Sequence, residues 1–170
     1  MGVESVLTMD RVRLRIGEPS EAERIADFVN KAFRGPYSHG GHRADECGFE
    51  TLWKEGTFLL AERGDMLAGC VHVKARAGTS ALQLLAVDAR IRRCGIGSQL
   101  ILAAESLCQG MESPFIHIQV ASLNSEIVRF WHRRGFVDFE RLPCPCETRS
   151  SLDCHLLKMA KQLKRTIPGF

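Results

Sequence analysis

The chain holds a set of residues whose types and spacing suit anion binding: Arg92-x-x-Gly95-x-Gly97, at the junction of a strand-like run and a helix-like run. A helix start leaves backbone N–H groups unpaired and carries the positive end of the helix dipole. Glycine there removes side-chain obstruction, so a ligand can approach the backbone. Strand, turn and helix in this order form a phosphate cradle. The adjoining Arg90-Ile91-Arg92-Arg93 would steer a phosphate-rich ligand towards it. Taken alone, a glycine pair could equally be a turn. A second set is histidine. His39 and His42 share the loop 35–43 with Tyr37 and Ser38, where polar side chains on an adaptable backbone could meet a substrate. Two histidines three apart lack further ligands at regular spacing, so no metal is expected there. Cys144, Cys146, Cys154 and His155 fare no better. Cys-x-Cys is not the usual zinc spacing, and adjacent residues on a strand point to opposite faces.

The elements that position these residues follow from periodicity. Leu82, Leu84, Leu85 and Val87 supply a buried strand, and from Ile96 the apolar period becomes helical, with Leu100, Ala103, Ala104 and Leu107 on one face. Residues 11–16 alternate, which predicts a strand with Val12, Leu14 and Ile16 inward and a solvated arginine face. Ser20-Glu21-Ala22-Glu23 after Pro19 reads as a capping box, and Ile25, Val29, Ala32 and Phe33 line the helix it opens, up to Arg34-Gly35-Pro36. A short helix over 44–54 offers Cys47, Phe49 and Trp53 for packing. Strands 57–61 and 66–74 flank Arg63-Gly64-Asp65, a hairpin turn. Phe115 to Val120 alternates, with Ile116, Ile118 and Val120 on one face and His117 and Gln119 on the other. After Asn124, a helix carrying Ile127, Val128, Phe130 and Trp131 stops at Arg134-Gly135, where glycine supplies a left-handed cap. Strands over 136–140 and 151–158 follow, joined by a loop that Pro143 and Pro145 stiffen.

Val87 followed by Arg92-x-x-Gly95-x-Gly97 at a helix start resembles the acetyl-CoA motif Q/R-x-x-G-x-G/A of the GCN5-related N-acetyltransferases (GNAT). Val120-x-x-x-Asn124, Phe130-Trp131 and Gly135-Phe136 resemble that family's second motif, V-x-x-x-N…FY…GF. The two motifs stand in family order and together cover roughly residues 11–158. The resemblance implies an α+β (mixed α/β) fold, a seven-stranded mixed sheet splayed between its fourth and fifth strands and flanked by about four helices. It implies acetyl-CoA as acyl donor. Arg92, Arg93, Cys94, Gly95, Ile96, Gly97 and Ser98 would hold the pyrophosphate. The backbone of Leu85, Ala86 and Val87 would pair with the pantetheine arm, and Asn124 and Trp131 would flank it. The loop with Tyr37, His39 and His42 would wall the acceptor site.

Acetyl transfer to an amine needs a proton acceptor, because an alkyl amine has a pKa of roughly 10. It also needs an N–H for the carbonyl oxygen, which the family draws from the backbone of Val87. Some members place a glutamate on the central strand as base. This chain has Ser80-Ala81-Leu82-Gln83 there, so His117 is the substitute, with His72 second. Either could instead be a packed strand histidine. Trp131 replaces the family tyrosine that protonates the leaving thiolate, and indole cannot serve as that acid. A thiol with a pKa of roughly 8.5 leaves without much help. The implied function is acetyl transfer to a small-molecule primary amine in a ternary complex. The alternatives are a CoA-binding sensor with little turnover and a zinc-binding interaction protein.

Composition sets the outer bounds. At 170 residues, 45% apolar and 25% charged, the chain reads as one globular domain, 11–160, with flexible ends at 1–10 and 161–170. A net charge of +3 argues against nucleic acid, and the basic tail 158–165 reads as solvated charge. Seven cysteines without a regular framework suit reduced thiols in the cytoplasm. No apolar run has membrane-spanning length, and no leader pattern opens the chain. A monomer or homodimer is expected.

Overall fold

The computed structural model describes residues 12–33, 46–143 and 155–164, which hold seven strands and four helices. In chain order these are β1 (Val12–Ile16), α1 (Ala22–Ala32), α2 (Glu46–Glu55), β2 (Thr57–Arg63), β3 (Met66–Lys74), β4 (Ser80–Val87), α3 (Ile96–Gly110), β5 (Phe115–Ala121), α4 (Ser125–His132), β6 (Val137–Pro143) and β7 (His155–Gln162). The strands form one mixed sheet in the order β1-β2-β3-β4-β5-β7-β6. The first four make an antiparallel meander, and β5, β7 and β6 are antiparallel to one another. The halves join where β4 runs parallel to β5, a pairing that requires the α3 crossover. That pairing is confined to Ser80 opposite Ile116 and Ala81 opposite His117. Beyond it, among the described residues, no strand pairs with residues 82–87 on their β5 side, so the sheet opens into the expected splay.

Two apolar clusters sandwich the sheet. On one face Ile25 and Val29 of α1 and Phe49 of α2 pack on Phe58, Leu60, Cys70 and Ala86. On the other, Ile96, Leu100, Ile101, Ala104 and Cys108 of α3 and Trp131 of α4 pack on Val71, Val73, Leu82, Ile116, Ile118 and Met159. The α3 stripe is rotated from the expected one. Ala103 and Leu107 are only partly buried, and Ile101, Glu105 and Cys108 take the inner positions. Glu105 is tolerated there because its carboxylate meets Lys161 Nζ at 2.7 Å.

Three further expectations need correction. Leu14 and Ile16 are 38% and 59% exposed, because β1 is an edge strand with little above it. Its arginine face is the tied one: Arg13 and Arg15 both donate to Glu62, a carboxylate 4% exposed, and Arg15 also donates to Glu21. The cap at the α1 entrance begins earlier than the Ser20 box. A 3-10 turn, Pro19–Glu21, precedes α1, and the Glu21 carboxylate accepts from the Glu18 N–H at 3.0 Å. The basic tail is not loose charge, since β7 runs to Gln162 and Lys158 pairs with Glu140 at 2.7 Å. The hairpin turn at Gly64-Asp65 is as expected. Gly135 closes α4 at φ +85°, and Phe136 behind it is buried. The loop residues Cys144, Cys146 and Cys154 lie outside the described residues.

Candidate active site

The turn from β4 to α3 has the geometry a phosphate cradle requires. Asp88 accepts from the Arg90 N–H at 2.9 Å and pairs with the Arg90 guanidinium at 2.6 Å, which fixes the start of the turn. This interaction holds the Asp88 carboxyl at about 2. Arg93 and Gly95 then take left-handed backbone angles, φ +68° and +78°. Gly95 is the N-cap of α3, and no side chain caps the helix. The first N–H groups of α3 are therefore left for solvent or a ligand. A Cβ added at Gly95 would meet nothing within 4 Å, so the glycine there serves conformation. At Gly97 an added Cβ would lie 3.6 Å from both Phe130 Cζ and Val87 Cγ2, which puts the first turn of α3 against α4 and the end of β4. Arg92, Arg93 and Cys94 are exposed, Ile96 is buried, and Ser98 is half-buried.

The strand leading into the cradle is bent. Cys70 pairs with Ala86 while His72 pairs with Gln83, so Val71 alone opposes Leu84 and Leu85. Leu84 sits at φ +52°, a bulge in a non-glycine residue. A bulge bends its strand, and among the described residues no strand pairs with residues 85–87 on their β5 side. An extended ligand could pair there as an added strand does. After β5, Asn124 caps α4, its side-chain oxygen accepting from the Ile127 N–H at 3.1 Å. Trp131 is 5% exposed and packs edge-on against Phe130 and Phe136, so most of its indole serves the core.

The face of the sheet that carries α1 and α2 holds the proton-transfer candidates. His117 is half-buried beside the β4–β5 junction, between the small cross-strand neighbours Ala81 and Ala160. Burial, and then the charge of Lys158, lower its pKa below the ordinary histidine value. His72 is fully buried, its Nε2 lying 2.9 Å from the Leu52 carbonyl and its ring packed on Phe58. Burial lowers its pKa as well, and it has the surroundings of a packed structural histidine. Tyr37, His39 and His42 lie outside the described residues. Among the described residues no group of three metal-ligating side chains comes together.

Two features of the site escaped the sequence reading. The bulge had a faint signal, since Leu84 and Leu85 are adjacent apolar residues that break the alternation of β4. Arg134 had none. It reaches back from the end of α4 to donate to the Ser98 hydroxyl at 2.5 Å, beside the cradle.

Comparison with known proteins agrees with this geometry. The family model described as Acetyltransferase (GNAT) family matches residues 22–136. No curated protein sequence matches the chain. Among solved structures, the ribosomal-protein-S18-alanine N-acetyltransferase of Escherichia coli is 13% identical with a TM-score of 0.77, covering 94% of this chain and 99% of its own. Ard1 of Thermoplasma volcanium is 23% identical with a TM-score of 0.70, covering 90% and 98%. The GNAT family acetyltransferase of Elizabethkingia anophelis, solved with acetyl-CoA bound, is 14% identical with a TM-score of 0.69, covering 91% and 99%. At these identities the likeness speaks for the fold, while the family model spans well over half the sequence. With the splayed sheet, the bulged β4 and the uncapped α3 in place, the chain belongs to the acetyltransferase (GNAT) family, the acetyl-CoA-dependent N-acetyltransferases.

Proposed function

We propose that the protein transfers the acetyl group of acetyl-CoA to the primary amine of a small molecule, by direct attack in a ternary complex. The observation that carries this reading is the open β5-side edge of residues 85–87 running into the uncapped start of α3. Acetyl-CoA supplies the activated acyl group as a thioester. Arg92, Arg93, Cys94, Gly95, Ile96, Gly97 and Ser98 hold its pyrophosphate through backbone N–H groups and the helix dipole. The backbone of Leu85, Ala86 and Val87 orients the pantetheine arm, with Asn124 and the rim of Trp131 alongside. The Val87 N–H donates to the carbonyl oxygen as charge develops on it. His117 accepts the proton that the amine gives up, and burial, which lowers its pKa, favours the neutral imidazole that a base requires. Tyr37, His39 and His42 contact the acceptor. With Trp131 in place of the family tyrosine, no phenol stands at that position to protonate the thiolate, which leaves unaided.

The buried, unpaired Cys70 and Cys108 support a reducing cytoplasmic setting, and burial pushes the Cys70 thiol up to about 12. Among the described residues no helix is long and apolar enough to cross a membrane. We assign a monomer or homodimer with no nucleic-acid partner. Turnover of acetyl-CoA against a panel of amines, read by release of the free thiol, tests the proposal. Release that depends on a small amine supports it. Tight acetyl-CoA binding without turnover of any amine favours a CoA-binding sensor, for which Gln83 in place of a carboxylate already speaks.

A further inference from the structure

Arg134 is a half-buried cation with no carboxylate paired to it among the described residues. Its guanidinium carbon stands 3.4 Å from the centroid of the Phe130 ring. One terminal nitrogen donates to the Phe130 carbonyl at 2.9 Å, the other to Ser98 Oγ at 2.5 Å, and Nε is buried without a partner. Burying a guanidinium without a counter-charge is costly, so the arrangement calls for a role. The geometry supplies one. Ser98 is the third residue of α3, and the Phe130 ring is the surface that Gly97 faces. Arg134 thus touches both the helix that opens the cradle and the ring that backs it. It also leaves an unneutralised positive charge behind the uncapped helix start. The nearby carboxylate, Glu105, shares a cleft of about 390 Å³ with Arg134 but is engaged by Lys161.

We infer that Arg134 is a positioning residue for the pyrophosphate cradle, locking Ser98 of α3 to Phe130 of α4 so that the free N–H groups of α3 are held ready for acetyl-CoA. This inference rests on the cradle reading above. Planar stacking and a two-pronged donor are what arginine provides and lysine does not. The locked arrangement lowers the ordering that binding would otherwise require.

The test is a double-mutant cycle on the full chain. Acetyl-CoA dissociation constants are measured by calorimetry for the parent, Arg134→Met, Ser98→Ala and the pair, with kcat and KM in parallel. Arg134→Met is expected to weaken binding roughly tenfold, raising KM for acetyl-CoA with kcat nearly unchanged at saturation. The double variant is expected to be no weaker than the weaker single one, because both remove the same lock. Arg134→Lys is expected to stay weak. Parental affinity in a folded Arg134→Met, or additive losses across the cycle, would overturn the inference. Should Arg134→Met fail to fold, Ser98→Ala decides: parental affinity in that variant overturns it equally. Gly97→Val separates the two levels. If Gly97→Val binds as the parent does, the cradle reading itself falls. If Gly97→Val is weak while Arg134→Met is not, only the role of Arg134 falls.

Discussion

His117 is the residue on which the proposed chemistry turns. A base acts in its neutral form, so the rate should fall as pH drops through its pKa. Burial and Lys158 place that limb below the ordinary histidine range. His117→Ala should abolish the limb and slow turnover by roughly 10²-fold, the usual worth of a positioned base. Lys158→Met should move the limb upward, because one of its two causes is gone. A limb that persists unchanged in His117→Ala would place the base elsewhere. Gly97 carries the second prediction. Gly97→Ala adds a Cβ at ordinary contact distance, 3.6 Å from Phe130 and Val87, and should fold and bind like the parent. Gly97→Val extends further and should weaken acetyl-CoA binding by roughly tenfold or more while the melting temperature holds. Trp131 carries the third. Trp131→Phe should retain most activity, because indole is no acid, yet lose about 1–2 kcal/mol of stability in denaturant titration from a packed core position. Loss of activity with cofactor affinity intact would show that the indole N–H takes part in the reaction.

Among the elements, the joint between β1, β2 and α1 depends on ions rather than apolar packing. Arg13, Arg15 and Arg24 converge on Glu62, and Arg15 and Arg24 also reach Glu21. The hydrogen bonds from Arg15 hold both carboxyls at about 2, below an ordinary value of 4.5. Folded-state pKa values below the unfolded ones give stability that is full above about pH 4.5 and is lost as pH falls towards 2. Glu62→Gln should cost about 1–2 kcal/mol at neutral pH, because Glu62 is buried but Arg13 and Arg24 are largely exposed and solvent screens their loss. It should also flatten the acid dependence of unfolding over that window. An unchanged acid profile in Glu62→Gln, by thermal melts across pH 2–7, would assign the acid sensitivity to other groups. This joint was illegible in the alternation of residues 11–16, which specifies a two-faced strand but not which face finds a partner. Glu62 pairs with Arg13 only through the β1–β2 register, forty-nine positions away.

At the scale of the whole molecule, local pattern carried the element order and the strand–turn–helix junction that Gly95 and Gly97 open. The period shift at Ile96 and the left-handed cap at Gly135 depend on nearby residues, so they could be read from the chain. What depends on distant partners could not. The bulge at Leu84 arises from matching β4 to β3, the inner face of α3 is set by the strands it packs on, and the Arg134–Ser98 bond spans thirty-six positions. The central claim is that acetyl-CoA enters the gap where β4 and β5 part and ends at the start of α3. Amide hydrogen exchange of the full chain, with and without acetyl-CoA, tests it directly. The account predicts added protection concentrated in residues 85–87 and 95–98, with β1 and β2 unchanged. Tight binding that leaves those amides as they were, with protection appearing elsewhere, would contradict it.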